Sequence, residues 1–360
     1  MNEKIHVFVV EDSPVAQLLL VHILNSDPRL SVLGTANNGE EALAFLKRNK
    51  PDVIVMDIHM PGMDGFETTR QIMETQPVPI VICSASLNPA EVARTFRALE
   101  AGAVAVVAKP VGLGHQEYED MAGKLVETVK LMSEVRVVKR WPRSRRTEGL
   151  AAVSSPAAAK PSDGSIKVVA IGTSTGGPPV LQTILTGLPK DFSVPVLIVQ
   201  HIAAGFLPGL VDWLNQTTGF PIHIAAHGEP LLPGCAYLAP DGYHLGLGGF
   251  GQIALSKQEP ENGLRPAVSY LFRSVAAVCG ANAVGVLLTG MGRDGADELK
   301  LLKELGAVTI AQDRESSIVH GMPGEAIALG GATHVLPADK ISELLLTLVA
   351  RRKGNGGNEL

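Results

Sequence analysis

Residues 168–179 read VVAIGTSTGGPP. An apolar run typical of a buried strand leads directly into small residues, and Pro178 and Pro179 then suit the first turn of a helix. The stretch predicts a strand, a sharp turn and a helix, the unit from which parallel α/β sheets are built. The turn is centred on Ser174 in a G-x-S-x-G pattern, which occurs at nucleophile elbows and also in plain glycine-rich turns. Whether this turn is a nucleophile elbow or a plain glycine-rich turn depends on which residues lie at the ends of the other apolar runs.

Short apolar runs alternate with longer amphipathic stretches along most of the chain. Five such pairs fill about the first 135 residues, beginning with IHVFVV and PVAQLLLVHIL, and a second series begins after Ser165. The second series is interrupted by GCAYLAPDGYHLGLGGFGQIALS, whose glycines and short apolar runs are typical of hairpins. We therefore predict two doubly wound parallel-sheet α/β domains, at residues 1–135 and 165–350, the second a three-layer α/β/α domain with a hairpin insertion.

Two stretches lack hydrophobic periodicity. Residues 136–146 contain six basic residues and are followed by small and Pro-containing sequence, so we predict a linker at 136–164. The basic half is favoured as a solvated charge run over a contact for an acidic partner. The polar residues 351–360 are predicted to be a disordered tail.

Composition excludes several classes of protein. The 360 residues carry 31 Lys and Arg against 36 Asp and Glu, a net charge of −5, so the basic footprint of a nucleic-acid-binding protein is missing. The three cysteines are odd in number and lack C-x-x-C spacing, which argues against disulfides and zinc and fits a reducing cytoplasm. Apolar runs are too short for a signal peptide or a membrane span, so we expect a cytoplasmic protein that is not inserted in a membrane.

Polar residues follow four apolar runs of the first domain. Glu11 and Asp12 follow IHVFVV, Asp57 follows DVIVM, Ser84 ends VPIVICS, and Lys109 follows AVAVVA. Ligands of open parallel sheets bind at the carboxyl ends of strands, so these side chains should converge. Three carboxylates in one crevice repel one another unless a divalent cation neutralises them, and an all-oxygen set favours Mg²⁺.

This pattern resembles a response-regulator receiver domain. The resemblance covers about residues 3–125 and rests on VVEDS, DIHMPGMDG, CSA and AKP. The resemblance implies that Asp57 is the phosphoacceptor and that Glu11, Asp12 and Asp57 bind Mg²⁺. It also implies that Ser84 is the switch hydroxyl and that Lys109 contacts the phosphate. The sequence departs from the family pattern at Val106, which stands where the family usually has an aromatic switch residue.

The same search of the second half finds a serine, a histidine and an aspartate. Ser174 follows KVVAIGT, His201 follows VPVLIVQ, and Asp294 follows AVGVLLTGMGR. A serine hydroxyl is a weak nucleophile until a neutral imidazole takes its proton, and a carboxylate orients that imidazole and stabilises its charged form. The backbone N–H groups of Thr175 and Met291 are candidate donors to an oxyanion.

Alternatives remain open on the residues alone. A lone G-x-S-x-G motif is weak, and the order Ser, His, Asp differs from that of α/β-hydrolases, although triads are defined by geometry. Asp241, in a PDG turn signature, competes with Asp294 for the third place. Trp213 lies on a stretch of helical apolar period and is expected in the core.

GTSTGGP, the QH pair and LTGMGRDGA resemble the catalytic domain of the chemotaxis protein-glutamate methylesterase family, CheB, over about residues 165–345. The preceding receiver-like domain and linker match the architecture of that family. The resemblance implies that Ser174 attacks, that His201 acts as general base and then acid, and that Asp294 orients the histidine. A further stretch, NGLRPAVSYLF, is similar to one that borders the family's active site, with Ala267 and Ser269 where serine and aspartate are expected.

The resemblance also implies a function. It predicts a phosphorylation-activated hydrolase of glutamyl methyl esters on methyl-accepting chemotaxis receptors, with glutamine deamidation as a second activity and a sensor histidine kinase as phosphodonor. The unphosphorylated receiver is expected to cover the Ser174 crevice. Two rivals are a binding module that has kept the fold without catalysis, and an esterase or amidase that serves another sensory system.

Overall fold

The computed structural model describes residues 4–85, 89–135, 137 and 165–351. It contains two parallel sheets, one of five strands and one of seven, together with a two-stranded hairpin. The predicted linker, apart from Val137, and the predicted tail, apart from residue 351, lie outside the described residues. The domain limits at 135 and 165 therefore stay predictions, while the parallel α/β architecture of both halves is confirmed.

The first sheet has the strand order β2-β1-β3-β4-β5 with all pairs parallel. Its strands are β1 (Ile5–Val10), β2 (Leu30–Ala36), β3 (Val53–Met56), β4 (Ile80–Ser84) and β5 (Ala105–Ala108). The helices are α1 (Pro14–Ser26), α2 (Gly39–Leu46), α3 (Gly65–Thr75), α4 (Pro89–Ala101) and α5 (Tyr118–Ser133). Ser13, Asn38 and Asp64 cap α1, α2 and α3 by accepting hydrogen bonds from first-turn N–H groups. Each of these helices thus begins where its sequence supplies a side-chain oxygen.

The second sheet has the strand order β14-β13-β12-β6-β7-β9-β8, again with all pairs parallel. Its strands, with those of the hairpin, are β6 (Val168–Thr173), β7 (Val196–Gln200), β8 (Ile222–Ile224), β9 (Ala236–Leu238), β10 (His244–Leu247), β11 (Ile253–Ser256), β12 (Ala283–Leu287), β13 (Val308–Gln312) and β14 (His334–Leu336). The helices are α6 (Gly177–Thr186), α7 (Leu207–Thr218), α8 (Val268–Cys279), α9 (Ala296–Glu304), α10 (Met322–Ala328) and α11 (Ala338–Arg351). The chain runs outward from β6 through β7 and then returns to the other side of β6, so the sheet has its topological switch point at β6.

The predicted hairpin insertion is shorter than the sequence pattern indicates. β10 and β11 pair antiparallel, as expected, but β9, at the start of the same stretch, joins the main sheet beside β7. All three residues of β9 are buried. Ala236 and Leu238 belong to the core cluster that contains α7 side chains, and Tyr237 belongs to the one that contains hairpin side chains, so both faces of the strand are covered. Short buried strands of a sheet and of a hairpin look alike in a single sequence.

The two halves pack against each other through α4 and α7. The rings of Phe96 and Trp213 stack with centroids 5.7 Å apart. One oxygen of Glu100 accepts hydrogen bonds from Trp213 Nε1 at 3.1 Å and from Gln182 Nε2 at 2.9 Å. Trp213 is buried as predicted, but it lies at the contact between the domains. No helix within the described ranges is both long and apolar enough to cross a membrane.

Candidate active site

Ser174 lies in the turn between β6 and α6, at the switch point of the second sheet. The turn is closed by the Gly177 N–H, which donates to the Ser174 carbonyl at 2.9 Å. In this turn the serine itself does not adopt the unusual backbone conformation, because among the described non-glycine residues only Asn262 has a positive φ. The left-handed position is Gly176, with φ of 79°, where a Cβ would come within 2.6 Å of the Ile318 side chain. The serine is half-buried at a sharp turn, and glycine takes the unusual conformation.

His201 and Asp294 come from the strands on either side of β6. His201 directly follows β7, and its Nε2 lies 2.9 Å from Asp294 Oδ2. The ring is turned away from the best hydrogen-bond angle at that distance, as catalytic groups often are before substrate binds. Since Nε2 faces the carboxylate, Nδ1 is the nitrogen left for the serine, although no hydrogen bond joins Ser174 to this ring among the described residues.

The buried carboxylate of Asp294 is held by the first turn of α8. Its Oδ2 accepts from Val268 N at 2.7 Å and its Oδ1 from Ser269 N at 2.9 Å. Burial would raise the pKa of Asp294, but the hydrogen bonds and charge of His201 and the contacts with Ser269 hold that pKa below its usual value. The Ser269 hydroxyl also accepts from Gly295 N at 3.0 Å, so α8 and the Asp294 loop are tied in both directions. Asp294 is therefore fixed as an anion facing the imidazole.

Asp241, the rival for the third position, has another role. Its Oδ2 accepts from Gly205 N at 2.8 Å, in the loop that follows His201, and no contact between Asp241 and the imidazole is found in the described part of the chain. The geometry favours Asp294. The hydrogen bonds from α8 to Asp294 could not be predicted from the sequence. The sequence shows only that an amphipathic stretch follows Pro266, which marks the beginning of that helix.

The two candidate oxyanion donors are available. The N–H groups of Thr175 and Met291 donate to no protein acceptor in the described ranges. Gly290 brings the second donor close, because a Cβ at this position would lie 2.7 Å from Ser174 Cβ. A larger residue at 290 would push the Met291 loop away from the serine.

The predicted acidic crevice is assembled in the first sheet, between β1 and β3. Carboxylate oxygens of Glu11, Asp12 and Asp57 lie within 4.8 Å of one another. Lys109 Nζ is 2.8 Å from Glu11 Oε2 and 3.0 Å from Asp57 Oδ2. The Ser84 hydroxyl is buried at the same edge and has no hydrogen-bond partner among the residues that the structure describes.

These residues fit a hard divalent cation. Burial raises the pKa of Glu11 and the neighbouring charge of Asp57 adds to this, while Lys109 opposes it. One lysine faces three carboxylates, so a cation with oxygen ligands would relieve the remaining repulsion. Glu11, Asp12 and Asp57 are the residues able to hold it, as the sequence indicated.

A cavity of about 70 Å³ lies between the two domains, directly over the serine. From the second domain, Ser174, Thr175 and His201 are among the residues that line it. Its lining from the first domain is Phe96, Leu99, Val104, Ala105, Val106 and Thr128. The first domain thus closes the crevice above the candidate nucleophile, and Val106 is one of the side chains that face it.

Replacing Asp294 should produce a stability loss that depends on pH. The folded-state pKa of Asp294 lies below its unfolded value, so its stabilisation is present above pH about 4 and is lost as pH falls through the folded value. Asp294→Asn should cost roughly 1–3 kcal/mol at neutral pH, and the difference from wild type should shrink toward pH about 3. Urea unfolding of the full chain across this range measures it. Asp191→Asn, at an exposed aspartate, is the control, and an equal, pH-independent loss in both variants would contradict the assignment.

Comparisons with known proteins identify the family of each half of the chain. The family model "CheB methylesterase" matches residues 169–345, and "Response regulator receiver domain" matches residues 7–116. A protein-glutamate methylesterase/protein-glutamine glutaminase of Nitrosospira multiformis is 56% identical over 349 residues, which are 97% of this chain and 98% of that protein. A protein of the same name from Methanospirillum hungatei is 46% identical, over 97% of this chain and 99% of its own.

A solved structure matches the second half. The CheB methylesterase catalytic domain of Thermotoga maritima is 41% identical, with a TM-score of 0.50, and the match covers 51% of this chain and all of that one. The relatives extend over nearly the whole chain, including the receiver-like half and the Ser174, His201 and Asp294 strand ends. The chain therefore belongs to the CheB methylesterase family, with a response regulator receiver domain ahead of the methylesterase domain.

Proposed function

We propose that this chain hydrolyses glutamyl methyl esters on methyl-accepting chemotaxis receptors and that phosphorylation of its receiver domain activates the reaction. The observation that carries the proposal is the convergence of Ser174, His201 and Asp294 at one switch point, with the His201 ring 2.9 Å from an ionised, buried carboxylate. The names of the curated relatives, which state both methylesterase and glutaminase activity, support the substrate class.

Ester hydrolysis follows in two steps. His201 Nδ1 takes the proton of the Ser174 hydroxyl, and Oγ bonds to the ester carbonyl carbon while Asp294 stabilises the imidazolium. The negative oxygen that forms is stabilised by the N–H groups of Thr175 and Met291. The imidazolium returns its proton to the departing methoxy group, so methanol leaves and an acyl-serine remains. His201 then deprotonates water, which attacks the acyl carbon and releases the glutamate and the free serine.

Deamidation of glutamine needs the same groups. Attack of Ser174 on a carboxamide yields the same acyl-serine, and the proton on His201 goes to departing ammonia. The substrate side chain enters the same oxyanion site in both reactions. We include glutaminase activity in the proposed function for this reason.

The receiver domain would control access to the serine. Asp57 accepts the phosphoryl group from a sensor histidine kinase. Two observations support contacts to the added oxygens: Lys109 Nζ lies 3.0 Å from Asp57 Oδ2, and the buried Ser84 hydroxyl has no hydrogen-bond partner among the described residues. Glu11, Asp12 and Asp57 would hold Mg²⁺, which would supply a positive charge to offset the negative charge of the phosphoryl group. A change from 1:99 to 99:1 in the open state requires about 5.5 kcal/mol of differential stabilisation, which charge-assisted bonds to a phosphoryl group can contribute.

The primary test measures methanol released from methylated receptor membranes by the full chain, with and without Mg²⁺ and a small phosphodonor. We expect a rate that rises with phosphodonor in the wild type, falls by roughly 10³-fold or more in Ser174→Ala, and loses its response to phosphodonor in Asp57→Asn. Receptor-dependent binding without methanol release, and unaltered by Ser174→Ala, would instead identify a binding module. Release from esters of another sensory system alone would reassign the substrate.

A second prediction tests whether the α4–α7 contact keeps the enzyme closed. Glu100→Ala removes the acceptor of Trp213 Nε1 and Gln182 Nε2, so the unphosphorylated rate should rise by about two- to fivefold, and the phosphorylated rate should change less. Methanol release in both states measures this. Glu119→Ala, at an exposed acid on α5, is the matched control, and an equal rise in both variants would exclude a specific contact.

A further inference from the structure

Gln200 joins the strand ends that carry the nucleophile and the base. It is the last residue of β7, directly before His201, and is only 5% exposed. Its Nε2 donates to the Ser174 carbonyl at 2.8 Å and to the His201 carbonyl at 2.8 Å. Both partners of this atom are carbonyl oxygens, which only accept hydrogen bonds. The atom must therefore be the amide nitrogen, and this fixes the orientation of the amide group.

The bond to the Ser174 carbonyl determines where the next N–H points. In a planar trans peptide the C=O of one residue and the N–H of the following residue point in opposite directions. Gln200 Nε2 and Gly177 N hold the Ser174 oxygen on one side of the turn. The Thr175 N–H is therefore directed to the other side, where it has no acceptor in the described part of the chain and where Thr175 lines the cavity.

We propose that Gln200 is a positioning residue for catalysis: its side-chain amide orients the Ser174–Thr175 peptide so that the Thr175 N–H faces the reacting carbonyl, and it ties that peptide to the strand end bearing His201. The inference rests on the proposed esterase function. It assigns Gln200 no contact with substrate, and its effect is exerted through Thr175 and His201.

The other half of the amide supports a role beyond stability. Gln200 Oε1 is buried and has no hydrogen-bond partner within the described ranges, which is an unfavourable arrangement for a residue that serves only to stabilise the fold. Its place is fixed by a tight fit, since a Cβ on Gly177 would come within 2.2 Å of Oε1 and 2.3 Å of Thr173 Oγ1. The side chain thus occupies space that only a glycine at 177 leaves open.

The test compares full-length wild type, Gln200→Met and Gln200→Glu on methylated receptor membranes with phosphodonor, over a range of receptor concentrations. Met has a similar shape and cannot donate. We expect kcat of Gln200→Met to fall by roughly 10²-fold, as for the loss of one oxyanion donor, with KM changed by less than about threefold. Labelling of Ser174 by a fluorophosphonate, whose phosphoryl oxygen takes the oxyanion position, should slow by a similar factor.

The Glu variant supplies a pH signature that a merely structural role would not produce. A buried carboxyl facing two carbonyl oxygens favours its protonated form, which can still donate one hydrogen bond. The rate of Gln200→Glu relative to wild type should therefore fall as pH rises, while the ratio for Gln200→Met stays constant. Thr309→Val is the control for thermal stability. It removes buried hydrogen bonds near the beginning of β13, away from the carboxyl ends of the strands where the site lies.

The outcomes separate the inference from the function it rests on. If the wild type shows no Ser174-dependent methanol release, the proposed function fails. If the wild type is active and Gln200→Met keeps its kcat within about threefold per folded molecule, the positioning role is overturned. A pH-independent ratio for Gln200→Glu, equal to that of Gln200→Met, also contradicts the orientation of the peptide by a donated hydrogen bond.

Discussion

The catalytic half depends on a single buried negative charge, the carboxylate of Asp294. An anion removed from water is stable only where donors surround it, and here the first turn of α8 supplies two N–H groups and His201 supplies the third contact. The same requirement explains the positions of β12, α8 and the Asp294 loop relative to one another. The carboxylate is held as an anion with His201 Nε2 at 2.9 Å, and Nδ1 is the other nitrogen of that ring.

The receiver half solves the same physical problem with different chemistry. Its carboxylates also lie at a switch point of a parallel sheet, yet they face a lysine and an oxygen-only crevice suited to a divalent cation. Helix N-termini and an imidazole suit proton transfer, whereas a cation and a lysine suit a phosphoryl group. The fold is similar in the two halves, and the residues at the strand ends determine the chemistry.

The sequence predicted the residues at the strand ends well because parallel strands bring all their carboxyl ends to one edge. Asp57 could therefore be placed beside Glu11 and Asp12 at the edge of the first sheet without coordinates. In the same way, Ser174, His201 and Asp294 could be placed together at the edge of the second sheet. Contacts that depend on where a helix begins and on side-chain rotamers could not be predicted. Examples are the hydrogen bond from Val268 N to Asp294 and the one from Gln200 to the Ser174 carbonyl, each of which joins residues 26 positions apart. The positive φ of Gly176 could not be predicted either, because the pattern indicates a tight turn without saying which glycine adopts that conformation.

The interface over the serine shows why a burial pattern alone does not identify a contact between domains. Trp213 has the apolar period of a core residue, but its partner Phe96 belongs to the other domain, so the same pattern describes an interface residue. The interface leaves a cavity of about 70 Å³ beside Val106, enough for about two water molecules at liquid density. Atoms that line a gap lose attractive contacts, so the closed state is held less tightly than a filled interface would hold it. An aromatic side chain at position 106 would face this gap, and the smaller valine leaves it unfilled.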